Sequence, residues 1–267
     1  MTFPGAMQGR LWAILLGGAV WLWIVTVQAE SCVLAPYHVG LSFPVSKVES
    51  RWACPLQAII DGYTTANKVG PVVIPLPEQV YLYLLDRPPM AAALINRLEL
   101  GPYKAEERGA ARFWGDDGEG ASGIVELVYQ DRTNRMYFLD GSYEGTLLPP
   151  VKGKAVVFVR MNPMKDGQGK DAVETTLVAY TKLDSRILAG LVSLIRPLVG
   201  NTVTRKLTQG VNIVNRLGQE MRQHPDRVLF EAIDPPSLAD DEVAFLQHAL
   251  ARLSHGNGSI HSGTAAP

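Results

Sequence analysis

Residues 123–143 read GIVELVYQDRTNRMYFLDGSY, and this segment sets the fold class. Two runs rich in β-branched and aromatic residues, Gly123–Gln130 and Arg135–Tyr143, flank Asp131–Asn134. Aspartate and asparagine are typical turn residues, and the flanking composition is typical of strands. The segment therefore predicts a β-hairpin.

More strands are predicted on both sides of this hairpin. Ala155–Met161 and Val173–Thr181 are β-branched runs separated by the polar loop 162–171, and Arg112–Trp114 precedes a glycine-rich turn. These short strands leave no room for crossover helices, so they favour an antiparallel meander. Upstream, Val72–Ile74 predicts an opening or edge strand.

Helical patterns stand before and after these strands. Two short helices are predicted from about Glu78 to Leu85 and from Pro88 onward. A long C-terminal helix is predicted from Ser185, with a break or kink at Pro197 and Gly200, followed by an apolar stripe. The stripe recurs at steps of three and four residues: Val203, Leu207, Val211, Val214, Leu217 and Met221. Pro225 ends this helix, and Ser237 is a candidate cap for a final one.

The N-terminus carries an export or anchoring signal. Arg10 precedes an uncharged run, Leu11–Ala29, and the first acidic residue is Glu30. A charged start, an apolar middle and a small-residue exit predict a signal peptide, but the run is long enough for an uncleaved membrane anchor. The protein is thus expected to be secreted or periplasmic, or held at the inner membrane by residues 11–29.

The two cysteines lie just beyond this signal. Cys32 and Cys54 form a disulfide in an oxidising compartment if the fold brings them together, and otherwise remain separate thiols. Spacing alone leaves both alternatives open. The expected organisation is a leader (1–29), an extension with both cysteines (30–70), a main domain (71–225), a helical extension (226–254) and a disordered tail (255–267).

Composition and motifs narrow the function. The 267 residues have a formal net charge of −1, which makes nucleic acid a poor partner. The acidic clusters at 116–119 and 240–242 suit a glycine turn and a helix start, and the five histidines lack ligand spacing. Serine-elbow, zinc-protease, phosphate-loop and dinucleotide motifs are missing from the sequence, so neither catalytic residues nor a cofactor or metal are assigned.

The order of elements resembles the helix-grip fold of the START-like superfamily (SRPBCC, polyketide cyclase-like). Val80–Leu98 corresponds to the paired helices, Gly123–Thr181 to the sheet and Leu183–Gln223 to the terminal helix. The resemblance covers about residues 70–225. It implies an α+β fold, in which a curved antiparallel sheet wraps around a long C-terminal helix and two short helices follow the first strand.

Such a fold leaves an apolar cavity wherever the inner side chains fail to meet. The candidate lining residues are Val125, Leu127, Tyr129, Tyr137, Val157, Val159, Arg160, Leu177, Leu207, Val211 and Val214. The alternative is that they simply fill a core. A register slip of one residue would exchange Tyr137 and Leu139 for Met136 and Phe138. Five strand residues could anchor a polar head group: Tyr129, Tyr137, Tyr143, Arg160 and Tyr180.

These observations predict extracytoplasmic binding or transfer of a lipid or other hydrophobic small molecule. Two alternatives remain: a cavity enzyme of the cyclase type, and a structural membrane-associated module with a filled core and no ligand. The membrane is a further expected partner if the N-terminal segment is not cleaved.

Overall fold

A computed structural model describes residues 32–146, 150–184 and 192–255, with only the backbone at 192–195 and 255. The predicted leader, the predicted tail beyond residue 255 and the predicted helix start at Ser185 lie outside these ranges. Within the ranges, no helix combines the length and the apolar character that a bilayer crossing requires.

The protein is an α+β protein built on a seven-stranded antiparallel sheet, as predicted. The strands lie in the order β3-β9-β8-β7-β6-β5-β4, so that the first strand of the sheet pairs with the last. Their bounds are β3 Thr65–Ile74, β4 Lys104–Glu107, β5 Arg112–Asp116, β6 Ala121–Gln130, β7 Asn134–Tyr143, β8 Val151–Lys165 and β9 Asp171–Leu183. A separate two-stranded hairpin precedes them, with β1 Tyr37–His38 and β2 Leu41–Ser42.

Several strands are longer in the structure than the sequence predicts, because hydrogen-bonded pairing continues past the β-branched residues. The strand predicted at Val72–Ile74 begins at Thr65, so the expected domain boundary at residue 70 falls inside it. Gly70 has a φ of +100°, and the register shifts there, which hid the strand from a search for alternation. Strand β8 continues to Lys165, into the segment predicted as a polar loop. Strand β4 was not predicted, because its sequence, KAEE, is charged.

Within the described ranges, six α-helices accompany the sheet. They are α1 Ser50–Asp61, α2 Glu78–Asp86, α3 Pro88–Arg97, α4 Val192–Gln223, α5 Pro225–Ile233 and α6 Asp240–His255. Helices α2 and α3 are where the sequence predicts them. Of the break or kink predicted at Pro197 and Gly200, the break does not occur, because α4 runs through both residues. Asn67 of β3 donates hydrogen bonds to the Gly200 carbonyl and the Thr204 hydroxyl, at 3.0 and 2.8 Å, which ties this part of α4 to the sheet.

Both faces of the sheet are covered, and each face has its own core. On the inner face, side chains of β3, β8 and β9 pack with helices α2 to α6. On the outer face, residues 32–61 contribute Phe43, Leu56 and Ile59 to a core with Phe158 and Val178. A disulfide joins Cys32 to Cys54 and closes this N-terminal segment onto α1.

His38 lies inside the outer core. Its ring is 1% exposed, stacks on Phe158 at 4.3 Å between centroids, and places Nδ1 3.3 Å from the Tyr180 hydroxyl. Nε2 has no hydrogen-bond partner among the described residues. Burial lowers the pKa of His38, against a smaller opposing effect of a hydrogen bond with the Ala35 backbone. The histidine is therefore neutral in the folded protein at neutral pH.

This burial predicts a pH dependence of stability. Because the pKa of His38 is lower in the folded protein than its unfolded value of about 6.5, the unfolded chain takes up the proton first as the pH falls. The stabilisation is thus complete above about pH 6.5 and is lost below it. We expect the free energy of unfolding to fall more steeply between pH 7 and 5 in the wild type than in His38→Gln, measured by urea denaturation.

His248→Gln is the matched control, because His248 is exposed on α6 and bonds only the Ala244 carbonyl. Its pH profile should run parallel to that of the wild type. Parallel profiles for His38→Gln and the wild type would contradict the assignment.

Candidate functional site

A cavity of about 650 Å³ lies between the inner face of the sheet and helix α4. Strands β4 to β9 form one wall, and helices α2, α3 and α4 contribute the rest. Apolar side chains dominate its lining, among them Leu84, Ile95, Phe113, Val125, Leu139, Val157, Val203 and Leu207. Apolar walls with a few polar groups are typical of small-molecule binding sites.

A row of four glycines crosses the sheet wall of this cavity. Gly115, Gly123, Gly141 and Gly153 occupy the same register on strands β5, β6, β7 and β8, each paired with the next. All four line the cavity. Because they lack side chains, space that any other residue would fill stays open, and main-chain atoms form part of the wall.

The backbone at the centre of this row has no room for a side chain. A Cβ added to Gly141 would lie 2.5 Å from the Ser122 carbonyl oxygen, and one added to Gly123 would lie 2.5 Å from the Cα of Gly141. Neighbouring strands therefore approach closely on the inner face, as at a bend in a sheet. At the edge of the row, a Cβ on Gly115 would meet nothing nearer than the Lys104 carbonyl at 3.9 Å.

Helix α4 also contributes a glycine to the cavity wall. Gly210 lines the cavity, and no atom lies within 4 Å of a Cβ added there. Farther along α4 the packing closes, because a Cβ on Gly218 would come within 3.0 Å of Leu76. The cavity thus lies beside the middle of α4. The C-terminal part of the helix packs directly on its neighbours.

A cluster of charged residues closes one end of the cavity. Lys206 of α4 lies 2.7 Å from both Asp117 Oδ2 and Glu119 Oε2 in the turn between β5 and β6. Burial acts to lower the pKa of Lys206, but its hydrogen bonds with the two carboxylates outweigh burial and raise that pKa. The ammonium group is therefore charged, and its partners are already in place. Tyr103 stands beside this cluster, and burial raises its pKa.

Two tyrosine side chains form another part of the cavity wall. Tyr81 of α2 and Tyr137 of β7 both line the cavity, and the Thr175 hydroxyl lies 3.2 Å from that of Tyr81. Burial raises the pKa of Tyr81 to about 12. Burial also raises the pKa of Tyr137, although the charge of Arg135 and its hydrogen bond to the phenol oppose the rise. Arg135 is 3% exposed and forms an ion pair with Asp86 at 2.7 Å.

Several predicted lining residues reach the cavity wall. They are Val125, Tyr137, Val157, Leu207 and Val214. The structure also places Tyr137 and Leu139, rather than Met136 and Phe138, on the inner face, which resolves the register alternative. Tyr143, considered as a polar anchor, lines the cavity as well.

Four predicted lining residues face inward without reaching the wall. Val159 and Val211 are buried in the inner core, and Leu177 packs against it. Leu127 pairs with Tyr137 and so shares its face. Val159, Val211 and Leu177 therefore fill the core, as the alternative to a cavity predicted, because the helices and strands are in contact at these residues.

Tyr129 and Arg160 lie on the outer face, so their assignment to the lining is wrong. A register shift between Leu127 and Tyr129 adds one residue to β6, which turns Tyr129 to the outer core, where its hydroxyl donates to Asp131. Arg160 alternates with the inward Val159, and its guanidinium lies 5.1 Å from the Phe43 ring centroid. Tyr180 also belongs to the outer core.

Sequence reasoning missed the glycine row, Gly210 and Lys206. The glycines are visible in the sequence, but their alignment depends on four strand registers. Lys206 precedes Leu207 of the apolar stripe, and helical spacing alone places it off that stripe. No group of three potential ligands among His, Cys, Asp and Glu side chains that could hold a metal occurs in the part of the chain that the structure describes.

Comparisons with known proteins give limited similarity. No protein-family model matches the chain, and a search of curated proteins also finds no match. Among solved structures, the crystal structure of a conserved protein from Geobacillus kaustophilus is similar, with a TM-score of 0.41 and 12% sequence identity. The similarity covers 58% of this chain and 94% of that one.

The glycine row predicts opposite responses to the same substitution. Gly141→Ala should destabilise the protein by about 1–3 kcal/mol, because the added methyl group meets main-chain atoms that cannot move independently. Gly115→Ala should leave stability unchanged or raise it by up to about 1 kcal/mol, because the methyl group has space and the unfolded chain loses freedom. Chemical denaturation measures both. Equal effects at the two positions would contradict the close approach of strands.

The charged cluster predicts a difference between two lysines. Lys206→Met should cost about 1–3 kcal/mol, because it leaves the largely buried Asp117 carboxylate, 13% exposed, without its cation. Lys154→Met should change stability by no more than about 0.5 kcal/mol, because Lys154 and Asp140 are both about half exposed. Thermal and urea unfolding test this, and a loss for Lys206→Met no larger than that for Lys154→Met would remove the cluster's structural role.

Proposed function

We propose that this protein binds a hydrophobic small molecule in the cavity, as a carrier or transfer protein of START-like, helix-grip architecture. In this proposal the bent sheet wraps around α4, and the unfilled space between them receives the ligand. The observation that carries the proposal is that the row of glycines and Gly210 of α4 line one apolar space that no side chain fills.

The size and chemistry of the cavity support binding. About 650 Å³ lies within the range of roughly 300 to 1,000 Å³ that small-molecule sites occupy. A filled structural module would have packed this space, since an empty apolar cavity lowers stability in proportion to its volume. The open space therefore favours a ligand over the alternative of a module with no ligand.

The N-terminal sequence and the disulfide support a place outside the cytoplasm. Arg10 and the apolar run Leu11–Ala29 predict export or anchoring at a membrane. The Cys32–Cys54 disulfide suits an oxidising compartment. Lipids and similar molecules dissolve poorly in the water between membranes, so a carrier with an apolar interior has a physical purpose there.

The cyclase-type alternative would need a free acid, base or cation directed at the ligand. The cavity-lining cation on α4, Lys206, is instead bound by two carboxylates. Arg135 is likewise paired with Asp86 behind Tyr137. These pairings favour binding as the primary proposal.

A cavity-filling substitution tests the proposal. In Gly210→Leu the new side chain has free space to enter, so the helix should remain stable or gain up to about 1 kcal/mol from the loss of glycine. We expect the variant to lose at least about tenfold in affinity for N-phenyl-1-naphthylamine, an uncharged dye that fluoresces in apolar surroundings. Fluorescence titration measures the affinity.

Asn212→Leu is the matched control, because it adds the same side chain at an exposed position of the same helix. It should bind the dye as the wild type does. Equal dye affinity in all three proteins, or no binding at all, would defeat the proposal. Native mass spectrometry of protein purified from its host should further show a bound small molecule in the wild type and bare protein in Gly210→Leu.

A further inference from the structure

We infer that the ligand of this cavity is uncharged and offers a hydrogen-bond acceptor, such as an ester or ketone oxygen, to Tyr137. The inference rests on the proposed function and specifies the chemical class of the ligand. It follows from two observations: Lys206, the cation that α4 presents at the cavity wall, is already paired with two carboxylates, and the Tyr137 phenol has a proton to donate.

The charged end of the cavity does not suit an anionic ligand. Lys206 is a cation with two carboxylates at 2.7 Å, so the triad with Asp117 and Glu119 carries a net charge of −1. A carboxylate or phosphate entering here would meet more negative than positive charge.

The other lysines near the wall do not change this balance. Lys154 is half exposed and pairs with Asp140 at 3.5 Å. By strand alternation its side chain leaves the sheet on the side opposite to Gly153 and Ala155, which face the cavity. Lys104 is exposed and alternates in the same way with Ala105.

A buried anion without a counter-ion is strongly disfavoured. Transfer of an ionised carboxylate from water to an apolar site costs far more than a single hydrogen bond returns, so such a group is excluded or becomes neutral. The apolar wall around Phe113, Val125 and Leu139 offers it no compensation. The charge balance therefore selects against fatty acids and phosphorylated lipids as buried ligands.

Tyr137 indicates which polar group the ligand carries. Its side chain packs, partly buried, against the inner core and lines the cavity, and a hydrogen bond from the Arg135 guanidinium acts to lower the pKa of the phenol. A guanidinium has only donors, so the phenol oxygen accepts this bond and keeps its own proton to donate. The neighbouring positive charge also makes the phenol a stronger donor. A carbonyl oxygen of an otherwise apolar ligand is the group that satisfies it.

Two compounds that differ in charge test the inference. Dodecanoate and methyl dodecanoate share one chain, and at pH 8 only the first is charged. Displacement of N-phenyl-1-naphthylamine from the full protein should give an affinity at least about tenfold higher for the ester than for the acid. Tyr137→Phe should lower the affinity for the ester about threefold to tenfold, the range of one hydrogen bond, and change that for dodecane less than twofold.

Tyr83→Phe is the control for loss of a phenol, because Tyr83 stacks on Phe245 away from the cavity wall. It should keep the wild-type preference for the ester. A urea unfolding midpoint of Tyr137→Phe close to that of the wild type shows that the variant is folded.

The outcomes separate this inference from the proposed function. Equal or tighter binding of dodecanoate overturns the inference and leaves hydrophobic binding standing. Dye binding that neither compound displaces also overturns the inference, because the acyl ester then does not fit. If the protein binds no dye at all, the proposed function itself is contradicted. An affinity for the ester that Tyr137→Phe leaves unchanged removes the role of Tyr137.

Discussion

The close approach of backbones along the glycine row is the constraint on which the rest of this structure depends. Only glycine fits at Gly123 and Gly141, because any Cβ would fall on the main chain of the adjacent strand. The same absence of side chains leaves the inner face without the atoms that would fill it. One sequence feature thus produces both a tight approach of strands and an open interior.

Both faces of this sheet carry apolar side chains that must be shielded from water, and different parts of the chain pack on each face. On the outer face, residues 32–61 pack a continuous core around Phe158, and the Cys32–Cys54 disulfide holds the start of this segment against α1. On the inner face, α4 lies over the sheet and packs closely near both of its ends, through Val199 near one end and Met221 near the other. The rigid outer layer allows the inner layer to remain incompletely packed without the sheet losing its shape.

The sequence predicts the elements better than the site. Alternation and turn chemistry locate the central hairpin, and helical periodicity locates α2, α3 and the stripe of α4, because these signals are local. Tyr129 was misplaced because one extra residue in β6 exchanges the faces of the strand. Arg160 was misplaced because both faces of the sheet are buried, which removes the polar and apolar contrast that reveals orientation. The glycine row depends on the registers of four strands, and a single sequence does not contain them.

The cavity persists because α4 is held at separated points and cannot settle onto the glycine row. Asn67 holds the helix at Gly200 and Thr204, and Asn215 donates to the Val73 carbonyl at 2.6 Å. Near its end, Arg222 binds Asp166 of the β8–β9 turn at 2.9 Å. Between these points, collapse toward the sheet would break the buried Lys206 pairs as well, so each polar contact acts as a spacer. Polar contacts at the ends and glycines in the middle together explain how an apolar space survives in a protein whose other layers pack closely.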